Sequence, residues 1–533
     1  MVAELTKKVQ QAPAASSGSL RLGEQERCDL SSDGAAGEGG DASSVEVSYH
    51  HWRIKWAALS LALFLTAGSN YASSIIPPLK STLQKELVID NAQYAVLDTA
   101  DALLNTILPI LSGVAIDYFG PLVIGACAAS SILAGAVLTA VAIRVKHYPL
   151  MVGAQIIKGV GDTTIKTVQY KIYSWYSVGM MAFIYALDIS VERVCNLAGK
   201  LSAVPILNRT GHLSWVFWTS AILCGASWTL MLAFFMYERT LSAASRVPTG
   251  RRCAKRAAAR AGVASPSLRN SISIKLSPFA ATVFAIPACF WMIEISQLFQ
   301  TGAMMAYTTN LADTIRITRN LSTEAAGFTA AIGQVMPIVL TPCLGVCFDR
   351  WGHRMHWVTA TAVIYIVVFI LLAYTDVNAL VPSILGSLAL ATNVLPWIAS
   401  VPILAPDQRH LGTAFGIFKC LANCGTVVVS VVSGVIQDQS GTGVSQYNSV
   451  FAFLIAIKGL DVIWGLVYNW LDTNYLDGVL IKGDHSRRKE VATMDEERLR
   501  GIKTPIRSVT VVAIVIVVAA VVVAWLLYFY FAV

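Results

Sequence analysis

The chain has 533 residues, of which 55% are hydrophobic and only 14% are Asp, Glu, Lys or Arg. Soluble domains are about 25% charged, so this composition excludes an ordinary soluble protein and indicates an integral membrane protein. The net charge of +8 does not indicate nucleic-acid binding, because the basic residues lie in loops beside hydrophobic segments.

The chain begins with a polar tail and continues as a series of hydrophobic segments. Residues 1–49 are rich in Ala, Gly and Ser and contain no apolar run, so we predict a disordered cytosolic tail without a cleaved signal peptide. Thirteen later segments have the length that a membrane-spanning helix needs. These spans lie near 54–79, 93–116, 120–143, 148–172, 179–203, 213–236, 279–312, 325–347, 356–375, 380–403, 411–436, 446–470 and 507–531.

A long basic loop divides the first twelve spans into two sets of six. It covers residues 237–278 and contains nine Lys and Arg residues. The sequence therefore predicts an all-α integral membrane protein with two six-helix halves and an additional thirteenth helix. The remaining predicted regions are the halves 50–236 and 279–470, a cytosolic linker 471–506 and the last helix 507–533.

The orientation in the membrane follows from the distribution of Lys and Arg among the loops. The side that holds the N-terminus, the central loop and the linker carries most of them, and the positive-inside rule makes that side cytosolic. Two N-glycosylation sequons, at Asn208 and Asn320, fall in loops on the opposite side. We therefore predict that both are glycosylated at the lumenal or external face.

Span 4 carries charged side chains at membrane depth. Its polar residues are spaced by 3, 4, 4 and 3 positions, which places them on one face of an α-helix. They are Gln155, Lys158, Asp162, Lys166 and Gln169. A charge that faces lipid costs at least about 2.5–3.5 kcal/mol, so this face must turn toward protein or water. Such a stripe typically lines a transport path; the alternative is ion pairing of Lys158 and Lys166 with Asp162.

Three further spans hold polar groups that could face a cavity. Arg193 lies midway along span 5, and Glu294 and Gln297 belong to a polar stripe in span 7. In span 11, Lys419 and Asn423 are one helical turn apart. Packing partners or ion pairs between spans are the alternative interpretation of these residues.

Two short glycine-containing loops repeat across the halves. The first joins spans 2 and 3 and contains Gly113, Asp117 and Gly120. The second joins spans 8 and 9 and contains Gly345, Asp349, Arg350, Gly352 and Arg354. Glycine permits a tight turn, and aspartate can contact a helix N-terminus or an arginine. The pair resembles the cytosolic gating motif of the major facilitator superfamily, whose two halves rock about a midplane site. The first copy has Pro121 where that family has basic residues.

Other segments resemble one branch of that family, the lysosomal dipeptide transporters. Asp407 to Gly416, followed by Asn423 to Gly425, is similar to the span 10–11 region of the branch. Gly159 to Gly161 is similar to its span 4, and Ser190 to Arg193 to its span 5. The resemblance covers roughly residues 54–470 and leaves out both tails and the last helix.

The resemblance implies a binding site. The span 5 arginine of this branch, here Arg193, contacts a peptide carboxylate, a task that suits the guanidinium fork. The branch places a glutamate for the peptide amine where this chain has Thr163, so the candidate is Asp162, whose side chain is turned by about 100° from that position. The predicted substrate-binding residues are Arg193, Asp162, Lys158, Lys166, Glu294 and Gln297.

These observations predict a facilitative transporter of small zwitterions, most of all dipeptides. The resemblance implies passive uniport, a lysosomal or vacuolar membrane, and a possible accessory membrane glycoprotein as partner. The alternatives are a proton-coupled transporter of another organic anion or metabolite, and a non-transporting scaffold or receptor. No Gly-x-Ser-x-Gly or His-Glu-x-x-His motif occurs, so we expect no enzyme, and we expect neither a cofactor nor a metal site.

Overall fold

The fold was obtained as a computed structural model. It describes residues 52–89, 105–177, 180–241, 246–247, 249, 283–284, 286–405, 410–440, 444–475, 478, 480–484, 486 and 506–532. The predicted tail 1–49 and most of the central loop 237–278 lie outside the described residues. The described residues form helices joined by short turns, and they include no β-strand.

The helices follow the predicted spans in order. The N-terminal half contains α1 (Trp52–Leu63), α2 (Ala67–Ser74), α3 (Lys80–Leu87), α4 (Leu108–Phe119), α5 (Pro121–Val145), α6 (Tyr148–Tyr176), α7 (Met181–Thr210) and α8 (Leu213–Thr240). The C-terminal half contains α9 (Ala288–Glu294), α10 (Gln297–Thr318), α11 (Thr323–Trp351), α12 (Arg354–Tyr374), α13 (Leu380–Asn393), α14 (Leu395–Leu404), α15 (Leu411–Gln439) and α16 (Val444–Tyr475). The additional helix is α17 (Arg507–Ala532).

Hydropathy confirms the membrane assignment. Within the described ranges, nine helices are long and apolar enough to cross a membrane, and the span of α17, Arg507–Leu527, has the highest mean hydropathy at 3.1. Helices α6 and α7 are not among the nine. They carry the charged residues of the predicted path, and a helix of that kind is stable in a membrane when its polar face is covered by other helices.

Three spans that the sequence predicted as continuous are each interrupted. Span 1 breaks between α1 and α2, span 7 between α9 and α10, and span 10 between α13 and α14. In span 10, Pro396 has no backbone N–H to donate to the preceding turn, which explains the break at Val394. In span 7, the Ser296 hydroxyl donates to the Ile293 carbonyl (2.8 Å) beside the break. Discontinuous helices at mid-membrane expose backbone groups where a binding site can form.

The two glycine loops form the tight turns that the sequence predicted. Gly120 ends α4 with φ +94°, and Gly352 ends α11 with φ +74°. Both values lie in the left-handed region that favours glycine. The helices before these turns approach the opposite half closely. A Cβ on Gly345 would lie 2.7 Å from the Cα of Phe183 on α7, so this contact between α11 and α7 requires glycine.

Helix α17 packs against the other described helices along one stripe. Its buried residues are Thr510, Ala513, Val517, Ala520 and Ala524, spaced by 3 or 4 positions. They face α15 and α9. The other faces expose large aliphatic side chains such as Val515 and Leu526, as expected of a helix in contact with lipid.

Candidate functional site

The break in span 1 is satisfied by side chains of two other helices. The Gln169 amide on α6 donates to the Ala62 carbonyl (2.8 Å). The Ser227 hydroxyl on α8 donates to the Phe64 carbonyl (3.2 Å) and accepts from the Gly68 amide (3.0 Å). Backbone groups freed inside a membrane need such partners. Gln169, expected on the polar face of a path, therefore supports the break in span 1.

The charged stripe of α6 is partly paired, and Lys166 is at the centre of the pairing. The Lys166 ammonium lies 3.5 Å from an Asp162 carboxylate oxygen and 3.8 Å from a Glu192 oxygen on α7. The Asp162 side chain is 15% exposed and the Glu192 side chain 35% exposed, so neither carboxylate is fully enclosed by the surrounding helices. The ion-pair alternative is correct for Lys166. Lys158 instead donates to the Ser73 hydroxyl (3.3 Å) on α2.

A third carboxylate, Asp188 on α7, completes this charged cluster. The Tyr173 hydroxyl donates to Asp188 (2.9 Å), and the Gln169 amide donates to the same hydroxyl (2.7 Å). Lys419, from α15 of the opposite half, interacts electrostatically with Asp188 and Glu192. The cluster therefore receives charges from both halves of the molecule.

Arg193 lies beside this cluster with an unused donor. Its Nε is buried and has no hydrogen-bond partner among the described residues. The guanidinium lies within electrostatic range of the adjacent Glu192 and of the Tyr365 hydroxyl on α12. Removing a guanidinium from water costs free energy unless its N–H donors find acceptors. A ligand carboxylate can accept from two of these N–H groups at once.

The C-terminal half contributes polar groups at the breaks in spans 7 and 10. Glu294, the last residue of α9, is fully buried, and neither carboxylate oxygen has a hydrogen-bond partner in the described part of the chain. Gln297 begins α10; its carbonyl oxygen accepts from Thr301 (3.0 Å), whereas its amide nitrogen has no partner there. The Trp397 indole on α14 donates to Gln300 (3.1 Å), which links the two breaks.

The sequence did not indicate Asn105, which lies just before α4 and joins three spans. Its side-chain oxygen accepts from the Thr163 hydroxyl on α6, and its backbone carbonyl accepts from the Asn423 amide on α15 (2.7 Å). Thr163, at the position of the branch's glutamate, therefore has a structural partner. A polar residue at the unwound start of a helix is the signal that could have identified Asn105.

An aromatic layer separates the charged cluster from one end of the bundle. Phe415 on α15 packs on Tyr170 of α6 (ring centroids 5.2 Å apart) and on Tyr185 of α7 (6.0 Å). Tyr173 and Tyr185 are in edge contact at 5.9 Å. Because Phe415 belongs to the opposite half, the layer is a contact between halves that must separate if the cavity is to open in this direction.

The same end of the bundle, called here the motif end, holds the first glycine–aspartate loop. Asp117 accepts from the backbone amides of Gly412 (2.9 Å) and Thr413 (2.7 Å) and from the Thr413 hydroxyl (2.7 Å). These donors form the N-terminus of α15, where a carboxylate is favoured by the helix dipole. The Lys171 ammonium contacts Asp117 at 2.5 Å, and its side chain is 1% exposed.

The second loop makes the equivalent contact in the reverse direction. Asp349 accepts from the backbone amides of Ala182 (2.9 Å) and Phe183 (2.8 Å) at the N-terminus of α7. Arg354 is buried and lies 3.5 Å from Asp484 in the segment after α16. Arg350 is exposed and stacks near the Trp351 ring (5.9 Å). The two loops thus join the halves at two contacts of the motif end. We call these contacts seams: the first lies between α4 and α15, and the second between α11 and α7.

The two sequons lie at the other end of the bundle. Asn208 is near the end of α7 and Asn320 precedes α11, and both are exposed. Their accessibility is compatible with glycosylation, which stays a prediction. Within the described ranges, no three His, Cys, Asp or Glu side chains are grouped so that they could hold a metal ion.

The fold and this site define a class of protein: a multi-pass membrane protein with two helical halves and charged side chains where the halves meet. Residues 293–533 match the family model of the Major Facilitator Superfamily. Among solved structures, the xylose transporter XylE (double Trp mutant) has TM-score 0.60 at 14% identity, covering 78% of this chain and 96% of that chain. FucP in the outward conformation has TM-score 0.57 at 15% identity, covering 78% and 99%. The chain is therefore similar to the major facilitator superfamily in the matched residues and in its fold.

Along most of its length the chain is also similar to named relatives. The lysosomal dipeptide transporter MFSD1 of Bos taurus is 23% identical over 472 residues, which cover 84% of this chain and 92% of the relative. The MFSD1 of Danio rerio is 24% identical and covers 86% and 97%. These relatives agree with the branch that the motifs indicated. The similarity to transporters over most of the chain also supports the expectation that the chain is not an enzyme.

Proposed function

We propose that this protein moves small zwitterionic solutes, dipeptides in particular, across a lysosomal or vacuolar membrane by alternating access. The observation that carries the proposal is Arg193, a partly buried arginine whose Nε is buried and has no hydrogen-bond partner among the described residues. A protein that buries such a donor beside a cavity gains from a ligand carboxylate. The relatives named lysosomal dipeptide transporters support the choice of solute and membrane.

The amine of the solute would be held by the carboxylates around Lys166. Asp162 and Glu192 share this one ammonium at 3.5 and 3.8 Å, distances longer than a close ion pair, and one Asp162 oxygen has no hydrogen-bond partner within the described structure. A ligand ammonium could therefore bind them without displacing a tight contact. Gln297, from the opposite half, offers an unused amide to the peptide backbone.

The two glycine–aspartate loops would act as the gate. Asp117 and Asp349 each bind a helix N-terminus of the opposite half, so both contacts must break when the motif end opens. The positive-inside rule makes this end cytosolic. The described conformation then has a closed cytosolic gate, and solute release to the cytosol requires both seams to part.

One observation favours a second candidate function, proton-coupled transport. Glu294 is fully buried and neither oxygen has a hydrogen-bond partner in the described part. An uncompensated carboxylate charge at that depth is costly, so rehydration during rocking would change its protonation. Coupling predicts that uptake responds to an imposed pH gradient and that Glu294→Gln removes the response. Uniport predicts that uptake follows only the solute gradient.

Uptake of labelled Ala-Ala into proteoliposomes tests the proposal. Arg193→Ala and Arg193→Lys should lose most uptake, about tenfold or more, because an ammonium cannot reproduce the fork onto a carboxylate. The matched control is Arg209→Ala, which removes an exposed arginine from the same helix and should keep uptake. Full uptake by Arg193→Ala would refute the carboxylate site, and no uptake by the unmodified protein would refute dipeptide transport.

A further inference from the structure

We propose that the site prefers solutes with a net negative charge, such as dipeptides with an acidic side chain, and that Lys419 selects them. This inference rests on the proposed function, because it names the substrate class of the same site. Two observations carry the inference: the net charge of the cluster that both halves form, and the position of Lys419 in that cluster.

The charged groups of the site do not cancel. Ion pairs and electrostatic interactions connect four cations with three carboxylates. The cations are Lys158, Lys166, Arg193 and Lys419, and the carboxylates are Asp162, Asp188 and Glu192. The cluster therefore has one positive charge in excess. A neutral zwitterion leaves that excess in place, whereas a solute with one additional carboxylate neutralises it.

Three of the four cations have other partners or assignments. Lys166 is held between Asp162 and Glu192. Lys158 is only 3% exposed and donates to the Ser73 hydroxyl within the N-terminal half. Arg193 is assigned to the peptide carboxylate that every dipeptide carries. Lys419 is the remaining cation for a second carboxylate.

Lys419 is positioned to reach a ligand between the halves. Its ammonium lies 5.3 Å from the centroid of the Tyr170 ring of the opposite half, and its side chain is partly exposed. One turn further along α15, the Asn423 amide bonds the Asn105 carbonyl and fixes the helix against the N-terminal half. A cation–π contact is weaker than a charge-assisted hydrogen bond, so a ligand carboxylate can replace the Tyr170 ring as the partner of Lys419.

Competition by Ala-Glu and Ala-Gln against labelled Ala-Ala uptake tests the preference. The two competitors have nearly the same shape and differ by one charge. The unmodified protein should bind Ala-Glu about tenfold more tightly than Ala-Gln, and Lys419→Gln should bring the ratio to about one. Lys419→Arg should retain the preference. Lys85→Gln, which removes an exposed lysine on α3, is the matched control and should leave the ratio unchanged.

The outcomes separate this inference from the proposed function. Equal competition by both peptides in the unmodified protein would overturn the charge preference and leave dipeptide transport intact. A tenfold ratio that persists in Lys419→Gln would overturn the role of Lys419. If neither peptide competes and Ala-Ala is not taken up, the proposed function fails and the substrate class fails with it. Thermal stabilisation of each variant by Ala-Glu gives the same comparison for variants with low activity.

A different observation carries a second inference: helix α17 braces the gate. We infer that α17 holds together the seam between α4 and α15 and stabilises the closed motif end. Its buried stripe packs along α15 and touches α9, both in the C-terminal half. Toward the C-terminal end of α17, the Trp525 indole donates to the Thr106 hydroxyl (2.9 Å), and Thr106 lies just before α4 in the N-terminal half. One helix is therefore attached to both halves.

The seam that α17 crosses is closely packed. A Cβ on Gly412 would lie 2.7 Å from the Gly113 carbonyl oxygen, so α4 and α15 meet at backbone contact distance. Rocking must separate these helices, and an element bonded to both opposes that movement. The segment before α17 is anchored as well, because the Ile481 carbonyl accepts from the His353 amide (2.7 Å) and Asp484 pairs with Arg354.

Hydrogen exchange tests the brace at a defined position. The amides of Gly412 and Thr413 are protected by Asp117, and those of Ala182 and Phe183 by Asp349 at the other seam. Trp525→Phe and Thr106→Val should each make exchange at 412–413 about three- to tenfold faster, with a smaller change at 182–183. Deletion of 507–533 should have the larger effect of the same kind. Trp215→Phe, at an exposed tryptophan, is the control.

Equal acceleration at both seams would mean that the changes loosen the whole protein, and it would overturn a local brace. Unchanged exchange at 412–413 in both point variants would overturn the contact between halves as the means of bracing. The point variants keep α17 in place, so they give an answer even if the deletion variant does not fold.

Discussion

The two glycine–aspartate loops occupy equivalent positions in the two halves, but they are secured in different ways. Asp117 binds three donors at the start of α15 and also a lysine of its own half, Lys171. Asp349 binds only two amides at the start of α7, and Arg354 beside it is held by Asp484 of the C-terminal segment. The two copies of one sequence motif thus join the two halves by two contacts of unequal strength.

The difference has a physical origin in the residues around each motif. The first copy has Tyr118 and Leu122 where the second has Arg350 and Arg354. The first aspartate instead pairs with Lys171 of α6. The second copy has its own arginine, but burial of that arginine requires a carboxylate. Asp484 supplies it from the chain beyond α16. The first seam depends on contacts between halves, and the second depends also on the C-terminal extension.

The largest effect should come from Asp117→Ala. The substitution removes four contacts and leaves the Lys171 ammonium buried without its carboxylate, and breaking a buried pair costs about 3–5 kcal/mol. We expect uptake to fall by more than about tenfold and the 412–413 amides to exchange faster. Asp117→Asn with Lys171→Met, which removes both charges, should recover part of the activity. Uptake equal to that of the unmodified protein in Asp117→Ala would contradict the importance of the first seam.

A smaller loss is expected from Asp349→Ala. Two charge-assisted hydrogen bonds disappear, each worth about 1.5–3 kcal/mol, but no buried lysine loses its partner. Uptake should fall by about three- to tenfold, with faster exchange at 182–183. A loss greater than that of Asp117→Ala, measured on equal amounts of folded protein, would reverse the ranking of the seams.

Loss of the linker contact should affect stability more than transport. Asp484→Asn leaves the buried Arg354 with a neutral partner at 3.5 Å, without touching either contact between halves. We expect a thermal unfolding temperature a few degrees lower and uptake within about threefold. Arg354→Met in the same background should restore stability, because both charges are then absent. Uptake as low as in Asp349→Ala would show that the linker acts directly on the gate.

The smallest effect is expected at Arg350. This arginine belongs to the motif, but it is exposed and only approaches the Trp351 ring. Exposed contacts of this kind contribute about 1 kcal/mol or less. Arg350→Ala should leave uptake within about twofold, measured beside Asp349→Ala as the reference. A large loss would mean that Arg350 contacts the opposite half in a conformation other than the closed one.

The sequence by itself determined the membrane class, the order of the spans and the two glycine–aspartate turns. The bilayer sets how long an apolar segment must be and makes a charge within it costly. Both features can therefore be recognised in one stretch of the sequence without knowing the fold. A glycine–aspartate turn is also local, so Asp117 and Asp349 could be recognised as a repeated pair from the sequence. Arg193 and the Lys166–Asp162 pair were identified for the same reason, because charge in an apolar span needs an explanation.

Only the tertiary structure decided which polar groups were partners and which were left free. Gln169 and Ser227 satisfy a break in span 1 that lies more than 50 positions away in sequence, and Asn105 joins three spans. Lys171 pairs with Asp117, whereas the Nε of Arg193 has no hydrogen-bond partner in the part of the chain that the structure describes. A hydrogen bond or ion pair acts over about 3–4 Å between groups that packing brings together. Residue type and spacing along one helix do not reveal which groups of different helices come within that distance.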